Sequence, residues 1–440
     1  MSLKMKLSVM SFLQFAVWGA YLTSMGNYLA SVGMASNIGL FYAMQGIVSI
    51  IMPAFMGIIA DRWIPAQRLL GYCHALAAFF IILAGYYGYS TGADATFSIL
   101  FTLYSCSVAF YMPTIALSNS VAYTTLTNNN YDTIKAFPPI RTLGTVGFIC
   151  AMLFVNFSGV QNDVFTFNFG NNGGFLSFQN TYHQFFVSGT LGIVLFLFSF
   201  LLPDCPVNIT EGKKTLSEAL GLKAFLLFKK RKMAIFFVFS MLLGISLQIT
   251  NGYANPFISS FKELPEFTNS WGANNANALI SLSQVSETLC ILLIPFFLKR
   301  FGIKNVMLMA MFAWMLRFGL FAVGDPGSGV WMFILSMIVY GIAFDFFNVS
   351  GSLYVDQETD KSIRSSAQGV FMMMTNGFGA TIGMIGAQFV VNHYVFNHSD
   401  VHLQAEGWRI SWFVFSAYAL IVMLLFAVFF KYKHHRGKVV

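Results

Sequence analysis

Charge is what this chain has least of. Asp, Glu, Lys and Arg make up 10% of its 440 residues, against 57% hydrophobic residues, where a soluble domain carries about 25% charged residues. That shortage excludes a soluble globular protein and leaves an integral membrane protein. The five cysteines (Cys73, Cys106, Cys150, Cys205 and Cys290) form no CxxC pair and show no metal-ligand spacing, which excludes a disulfide framework or a zinc site. Four of them lie in apolar runs, where Cys is a small buried hydrophobe. Alternating β-barrel patterning is missing. So are a long soluble segment that would hold a sensor domain and a nucleophile–base pairing that would mark an enzyme. The net charge of +8 sits in short segments between apolar runs, so it does not describe a nucleic-acid surface.

What is present is a succession of long apolar runs. A helix needs about 20 mostly apolar residues to cross a bilayer, and twelve such runs occur, near 7–30, 37–60, 67–90, 96–125, 134–156, 183–203, 233–258, 276–298, 304–323, 329–354, 364–391 and 408–430. The basic N-terminus is followed by an apolar run too long for a signal peptide and lacking a small-residue cleavage site, which predicts a retained first helix. With the N-terminus in the cytoplasm, 21 of the 25 Lys and Arg fall in cytoplasmic segments and two, Lys262 and Arg409, in outer ones. Arg141 and Arg317 fall inside spans. Such an asymmetry predicts twelve transmembrane helices with both termini cytoplasmic.

The segment 204–232, "DCPVNITEGKKTLSEALGLKAFLLFKKRK", is the longest basic stretch. It divides the chain into a six-helix half over 1–203 and another over 233–440, and its Leu and Phe spacing predicts a short interfacial helix. Two six-helix halves around such a linker describe the major facilitator architecture. The turn between spans 2 and 3, "GIIADRWIPAQR", agrees: Gly57 would let two helices approach closely, while Asp61 and Arg62 would clasp the cytoplasmic ends when the inner gate closes. The matching turn of the second half, "FFLKRFGIKN", keeps Arg300 and Gly302 but has no Asp. The outer segment 157–182 reads as a solvated loop. His393, His398 and His402 read as solvated too, and "FMMMTNGFG" as packing.

Two carboxylates, Glu287 and Asp345, lie within spans; the other fifteen acids lie in loops or at span ends. A charge at the centre of a bilayer helix costs roughly 2.5–3.5 kcal/mol even on lenient scales. Polar and aromatic residues recur around these acids at helical spacing. Arg141, Thr145 and Phe148 are at i, i+4 and i+7, with Pro138 and Pro139 suited to a first helical turn. Gln248 and Asn251 are at i and i+3, as are Gln284 and Glu287. Tyr340, Phe344 and Asn348 are at i, i+4 and i+8, beside Asp345. One such stripe is ordinary interhelical glue; four, with two acids and an Arg, describe a water-filled cavity. Amides, a hydroxyl and a guanidinium suit a polyhydroxyl solute, and Phe148, Tyr340 and Phe344 offer faces for an aromatic ring. Arg317 is open to three readings: substrate contact, structural pairing, or a snorkel to the interface.

The segments "SFLQFAVWGAYLTS", "FPPIRTLGTVGF", "KKRKMAIFFVFSMLLGISLQITN", "SQVSETLCILLIPFFLKRFGIKNVM", "SMIVYGIAFDFFNVSGS" and "SAQGVFMMMTNGFG" resemble the bacterial nucleoside–proton symporters of the major facilitator superfamily, over nearly the whole chain. The resemblance implies an all-α inner-membrane transporter, not an enzyme, that imports nucleosides such as uridine or adenosine by alternating access, as a monomer. The proton would be the coupling ion, with no other cofactor. It also implies a substrate site between the halves, with Arg141, Thr145, Phe148, Gln248, Asn251, Gln284, Glu287, Tyr340, Phe344 and Asp345 on the site positions and Asp345 or Glu287 carrying the proton. The 157–182 segment is longer than the family's usual loop. The rival expectations are a transporter of another polar solute, such as a sugar or drug, and a non-transporting membrane receptor. Single cysteines at Lys214→Cys and Asn171→Cys, on a background without the native cysteines, are expected to label from opposite faces with an impermeant thiol reagent. Equal labelling in sealed cells would overturn the twelve-helix map.

Overall fold

The structure is a computed structural model that describes residues 1–170, 175–205, 222–359 and 364–432. Most of the basic linker, and with it much of the predicted interfacial helix, lies outside the described residues, as does the side chain of Asp61. From Leu222 to Lys229 the chain is a 3-10 helix.

Helices dominate: α1 Leu3–Gly19, α2 Met25–Ser31, α3 Ile38–Arg62, α4 Ala66–Thr91, α5 Phe97–Asn128, α6 Thr133–Phe157, α7 His183–Ser199, α8 Arg231–Ser260, α9 Ala276–Val323, α10 Val330–Glu358, α11 Arg364–Met372, α12 Ala380–Val391 and α13 Val401–Phe429. Among the described residues nine helical segments are long and apolar enough to cross a membrane. One of them, α9, is 48 residues long and turns at Gly302 (φ 76°), so two predicted spans meet with a single residue between their helices. A positive φ is cheap only without a Cβ. Another joins α11 and α12 through a π-helical turn, Met373–Gly379. The first predicted span is broken between α1 and α2, where Ser24 Oγ donates to Gln184 Oε1 at 3.0 Å. The last helix starts earlier than its apolar run because Asp400 caps it, accepting from the amides of His402 (2.8 Å) and Leu403 (3.0 Å). The Leu403 and His402 amides together hold this exposed carboxyl below the usual carboxylate range.

The chain forms two compact units. The first comprises Met1–Ala35 and Ile47–Leu220, the second Ser36–Gly46 and Gly221–Val440. The first eleven residues of that second unit belong to the entry of α3, where the Leu40 amide donates to Gln388 Oε1 at 2.9 Å. In the first unit Leu7, Met10, Leu70, Val121, Leu126 and Leu195 centre the apolar core. In the second, Phe257, Phe321, Phe333 and Trp412 pack ring on ring.

Two expectations are corrected. The segment predicted as a solvated loop contains a three-stranded antiparallel sheet in the order β2-β1-β3, with β1 Ser158–Gln161, β2 Val164–Phe167 and β3 Leu176–Ser177. Asn162 and Asp163, at φ 51° and 61°, make its two-residue turn, as the twist of an antiparallel hairpin favours. Strands this short are invisible to a period-2 search. In the last turns of α3, before it joins α4, nothing lies within 4 Å of where a Cβ on Gly57 would stand, and Arg62 is exposed. Finally, α6 begins at Thr133, so Pro138 and Pro139 lie inside the helix and not in its first turn. The "FMMMTNGFG" segment, by contrast, packs: Met374, Thr375, Gly377 and Gly379 are buried. Among the described residues no group of three or more metal-capable side chains occurs.

Helices approach most closely at other glycines. A Cβ on Gly147 of α6 would overlap the Phe12 carbonyl of α1, and one on Gly19 would overlap that of Phe148. In the second unit Gly244 meets the Thr375 carbonyl and Gly341 that of Ser286. Small residues at such crossings allow backbone contact where lipid supplies no hydrophobic drive. Gly147→Ala is therefore expected to destabilise the purified protein by roughly 1–3 kcal/mol, the usual cost of overpacking, read as a lower melting midpoint in detergent. Gly57→Ala, with open space around it, should leave the midpoint level or raise it, since Ala favours a helix over Gly by about 1 kcal/mol.

Candidate functional site

In the first unit the predicted residues share one face of α6. Arg141 is half-buried with its guanidinium carbon 3.8 Å from the Phe15 ring centroid. That short approach is possible because Gly144, three residues after Arg141, leaves room beside Phe15, Ser11 and Arg141 Nη1. Phe148 is buried and meets Trp18 edge-on at 6.2 Å. Thr145 is half-buried between them. This unit also holds a polar group that no periodic pattern announced. Gln14 Nε2 donates to Thr114 Oγ1 at 2.7 Å, His74 Nε2 lies 2.7 Å from Gln14 Oε1, and the Tyr111 hydroxyl donates to the Gln14 carbonyl at 2.8 Å. All four side chains are almost wholly shut from solvent. They tie α1, α4 and α5 together, and Arg141 is a charged neighbour of Tyr111. A lone His on an apolar helix has no periodic partner in sequence, which is why reading along the chain missed it.

In the second unit α8 carries Gln248 and Asn251, and Asn251 Nδ2 donates to Gln248 Oε1 at 3.3 Å. The remaining residues come together where α9 crosses α10. Gly341 seats the Ser286 backbone there, and Ser286 Oγ donates to the Ile338 carbonyl. That contact brings the adjacent residue Glu287 and the nearby Gln284 to the turn of α10 that carries Tyr340. The buried Tyr340 hydroxyl has Gln284 as a side-chain hydrogen-bond partner and Glu287, Arg317 and Asp345 as charged neighbours. Its ring stacks on Phe344 at 5.8 Å and 5°. Asp345 is buried (4% exposed), whereas Glu287 and Gln284 are half-buried. Asn348, the last member of that stripe, bonds back to the Phe344 carbonyl at 3.1 Å.

Arg317 settles behind Tyr340. It is fully buried, so it is no snorkel to the interface. Its Nη1 donates to the Ser336 carbonyl at 2.7 Å, and its guanidinium carbon lies 4.7 Å from the Tyr340 ring centroid and 5.0 Å from that of Phe321. A guanidinium over aromatic faces in a desolvated place is favourable by about 2 kcal/mol. The second unit thus places one buried cation on one side of a tyrosine, with the hydroxyl, an amide and two carboxyl groups grouped about it. This arrangement can hold a polar solute by paired hydrogen bonds, and can take up or release a proton where it does so.

Comparison with known proteins agrees with the resemblance read from the sequence. The profile described as "Nucleoside H+ symporter" matches residues 1–435. The chain is 42% identical to the nucleoside permease NupG of Escherichia coli (strain K12) over 439 residues, 99% of this chain and 98% of that protein. It is 43% identical to the xanthosine permease of the same organism over 442 residues, 100% of this chain and 98% of that one. A crystal structure of the nucleoside transporter NupG superposes with a TM-score of 0.85 at 42% identity, covering 98% of this chain and all of that one. A transporter fold, intramembrane carboxyl groups set among hydrogen-bonding side chains, and full-length similarity of this order have one meaning: the chain belongs to the nucleoside H+ symporter family.

Proposed function

We propose that this symporter imports nucleosides such as uridine and adenosine across a bacterial inner membrane, as a monomer, by alternating access, with the proton as its coupling ion and no further cofactor. Counting α1 with α2 as one span, α7 as another and the two arms of α9 separately gives twelve spans. The Lys and Arg asymmetry then puts both termini in the cytoplasm. Arg141, Thr145 and Phe148 of the first unit and Gln248, Asn251, Gln284, Glu287, Tyr340 and Phe344 of the second supply the nucleoside contacts. Amides, hydroxyls and the guanidinium serve base edges and ribose, while Phe148 and Phe344 offer ring faces. The observation that supports this most is the gathering of Gln284, Glu287 and Asp345 about Tyr340. In this reading the groups that recognise a solute lie beside the groups that exchange a proton.

Asp345 is the proton carrier in this reading. Burial disfavours the charged form of a carboxyl, and Asp345 is the more buried of the two acids. Protonated, it donates a hydrogen bond; ionised, it only accepts. Proton and nucleoside therefore alter each other's affinity by the same factor. Glu287, beside Gln284 and Tyr340, keeps the orienting role.

Two outcomes follow. A lost hydrogen bond costs about 0.5–1.5 kcal/mol, and up to about 3 where a charge takes part. Gln284→Ala and Asn251→Ala should thus weaken uridine binding, measured by calorimetry, by several-fold to about a hundred-fold; unchanged affinities would move the site. In proteoliposomes acidified outside, the wild-type protein should accumulate uridine against its gradient. Asp345→Asn, a fixed mimic of the protonated acid, should bind uridine with weakened pH dependence and fail to accumulate it. Accumulation retained in Asp345→Asn but lost in a still-binding Glu287→Gln would reverse the two roles.

A further inference from the structure

The second unit has an apolar groove that nucleoside transport does not use. It encloses roughly 620 Å³ and is lined by both arms of α9, by α10 and by α13, with Phe297, Phe312, Leu316, Phe346, Met423 and Leu424 among its walls. Asn305 is the one polar side chain of its lining. From Asn305 to Leu316 the wall rises eleven residues, about 16 Å at 1.5 Å per residue. That is about half of a hydrocarbon core some 30 Å thick, or the depth of one leaflet.

The polar end of the groove lies at the Gly302 turn, and it is basic. Lys299 and Arg300 precede the turn and are exposed. Lys304 follows it, next to Asn305, and its Nζ donates to the carbonyl of Ala427, itself a lining residue, at 2.9 Å. Among the described residues none of these three cations forms an ion pair with a carboxylate. A leaflet-long apolar slot that opens beneath three uncompensated positive charges complements a molecule with an apolar tail and an anionic head. Basic pockets between membrane helices take anionic lipid headgroups for this reason.

We infer that this groove is a binding site for an anionic phospholipid, one acyl chain lying along Phe312, Leu316 and Met423 and the phosphate held by Lys299, Arg300 and Lys304. Both parts are needed. The cations alone are ordinary interfacial residues, and the slot alone would take any lipid tail.

The test uses the full chain, purified in detergent, with phosphatidylglycerol, phosphatidylcholine or glycerol 3-phosphate added. A ligand that binds only the folded protein raises its melting midpoint, and the more so the further its concentration exceeds its dissociation constant. Phosphatidylglycerol should raise the wild-type midpoint by several degrees, phosphatidylcholine much less, and glycerol 3-phosphate, which lacks the tail, not at all. The triple variant Lys299→Gln, Arg300→Gln, Lys304→Gln should lose most of the phosphatidylglycerol shift. A Phe312→Trp reporter in the groove should be quenched more by phosphatidylglycerol brominated on its acyl chains than by brominated phosphatidylcholine, and the triple variant should abolish the difference. Equal shifts and equal quenching by the two lipids would overturn the proposal, leaving an unselective lipid contact. A full shift with glycerol 3-phosphate would overturn it in favour of a phosphate site, and protection of the Phe312→Trp reporter by a second copy of the chain in favour of a dimer face.

Discussion

Inside the hydrocarbon core a peptide N–H has no water to bond, and leaving it unpaired costs several kcal/mol. The rest of the structure answers to that constraint. It makes the spans helical, and where the backbone is irregular inside one, as at the Ala20–Ser24 break, side chains and neighbouring carbonyls take up its polar groups. It also acts on side chains. The buried amides, hydroxyls and imidazole of the first unit find one another at Gln14. In the second unit Asn255 Nδ2 donates to Asn277 Oδ1 at 2.7 Å, and Ser259 Oγ to Asn255 Oδ1 at 3.0 Å. Backbone contact at glycines follows from the same constraint: with lipid as apolar as any side chain, close packing is what helices gain by meeting.

Against that background the Tyr340 group stands out, because it concentrates charge where the rest of the fold removes it. Glu287 and Asp345 are both charged neighbours of its hydroxyl. Arg317 lies with its guanidinium carbon 4.7 Å from the Tyr340 ring centroid and adds positive potential to the same place.

Much of this was legible in the chain. Apolar runs of span length gave the helices because nothing else satisfies their backbone, and the i, i+3 and i, i+4 spacings put Arg141 with Thr145, and Gln284 with Glu287, on common faces. Two kinds of feature were not legible. Boundaries set by a single cap, such as Asp400, lie outside the apolar run and do not register in it. Contacts across helices depend on where two backbones cross, and no one-dimensional period carries that: Gln284 and Tyr340 meet only because Gly341 admits the Ser286 backbone. The His74–Gln14 pair and the burial of Arg317 belong to the same class. The 158–177 sheet escaped because strands of four and two residues carry too little pattern to separate from a loop.

The turn at Gly302 bears on how the protein is made. One residue joins the two arms of α9, with no slack between them. Once the first arm has left the insertion machinery, the second has no tether long enough to wait in the aqueous phase while its partner settles. The arms must partition into the bilayer together, as one helical hairpin whose tip carries Lys299, Arg300 and Lys304. Charges of that kind resist translocation. Insertion of this part of the chain is then a single event, set by the same short basic turn that joins the two arms.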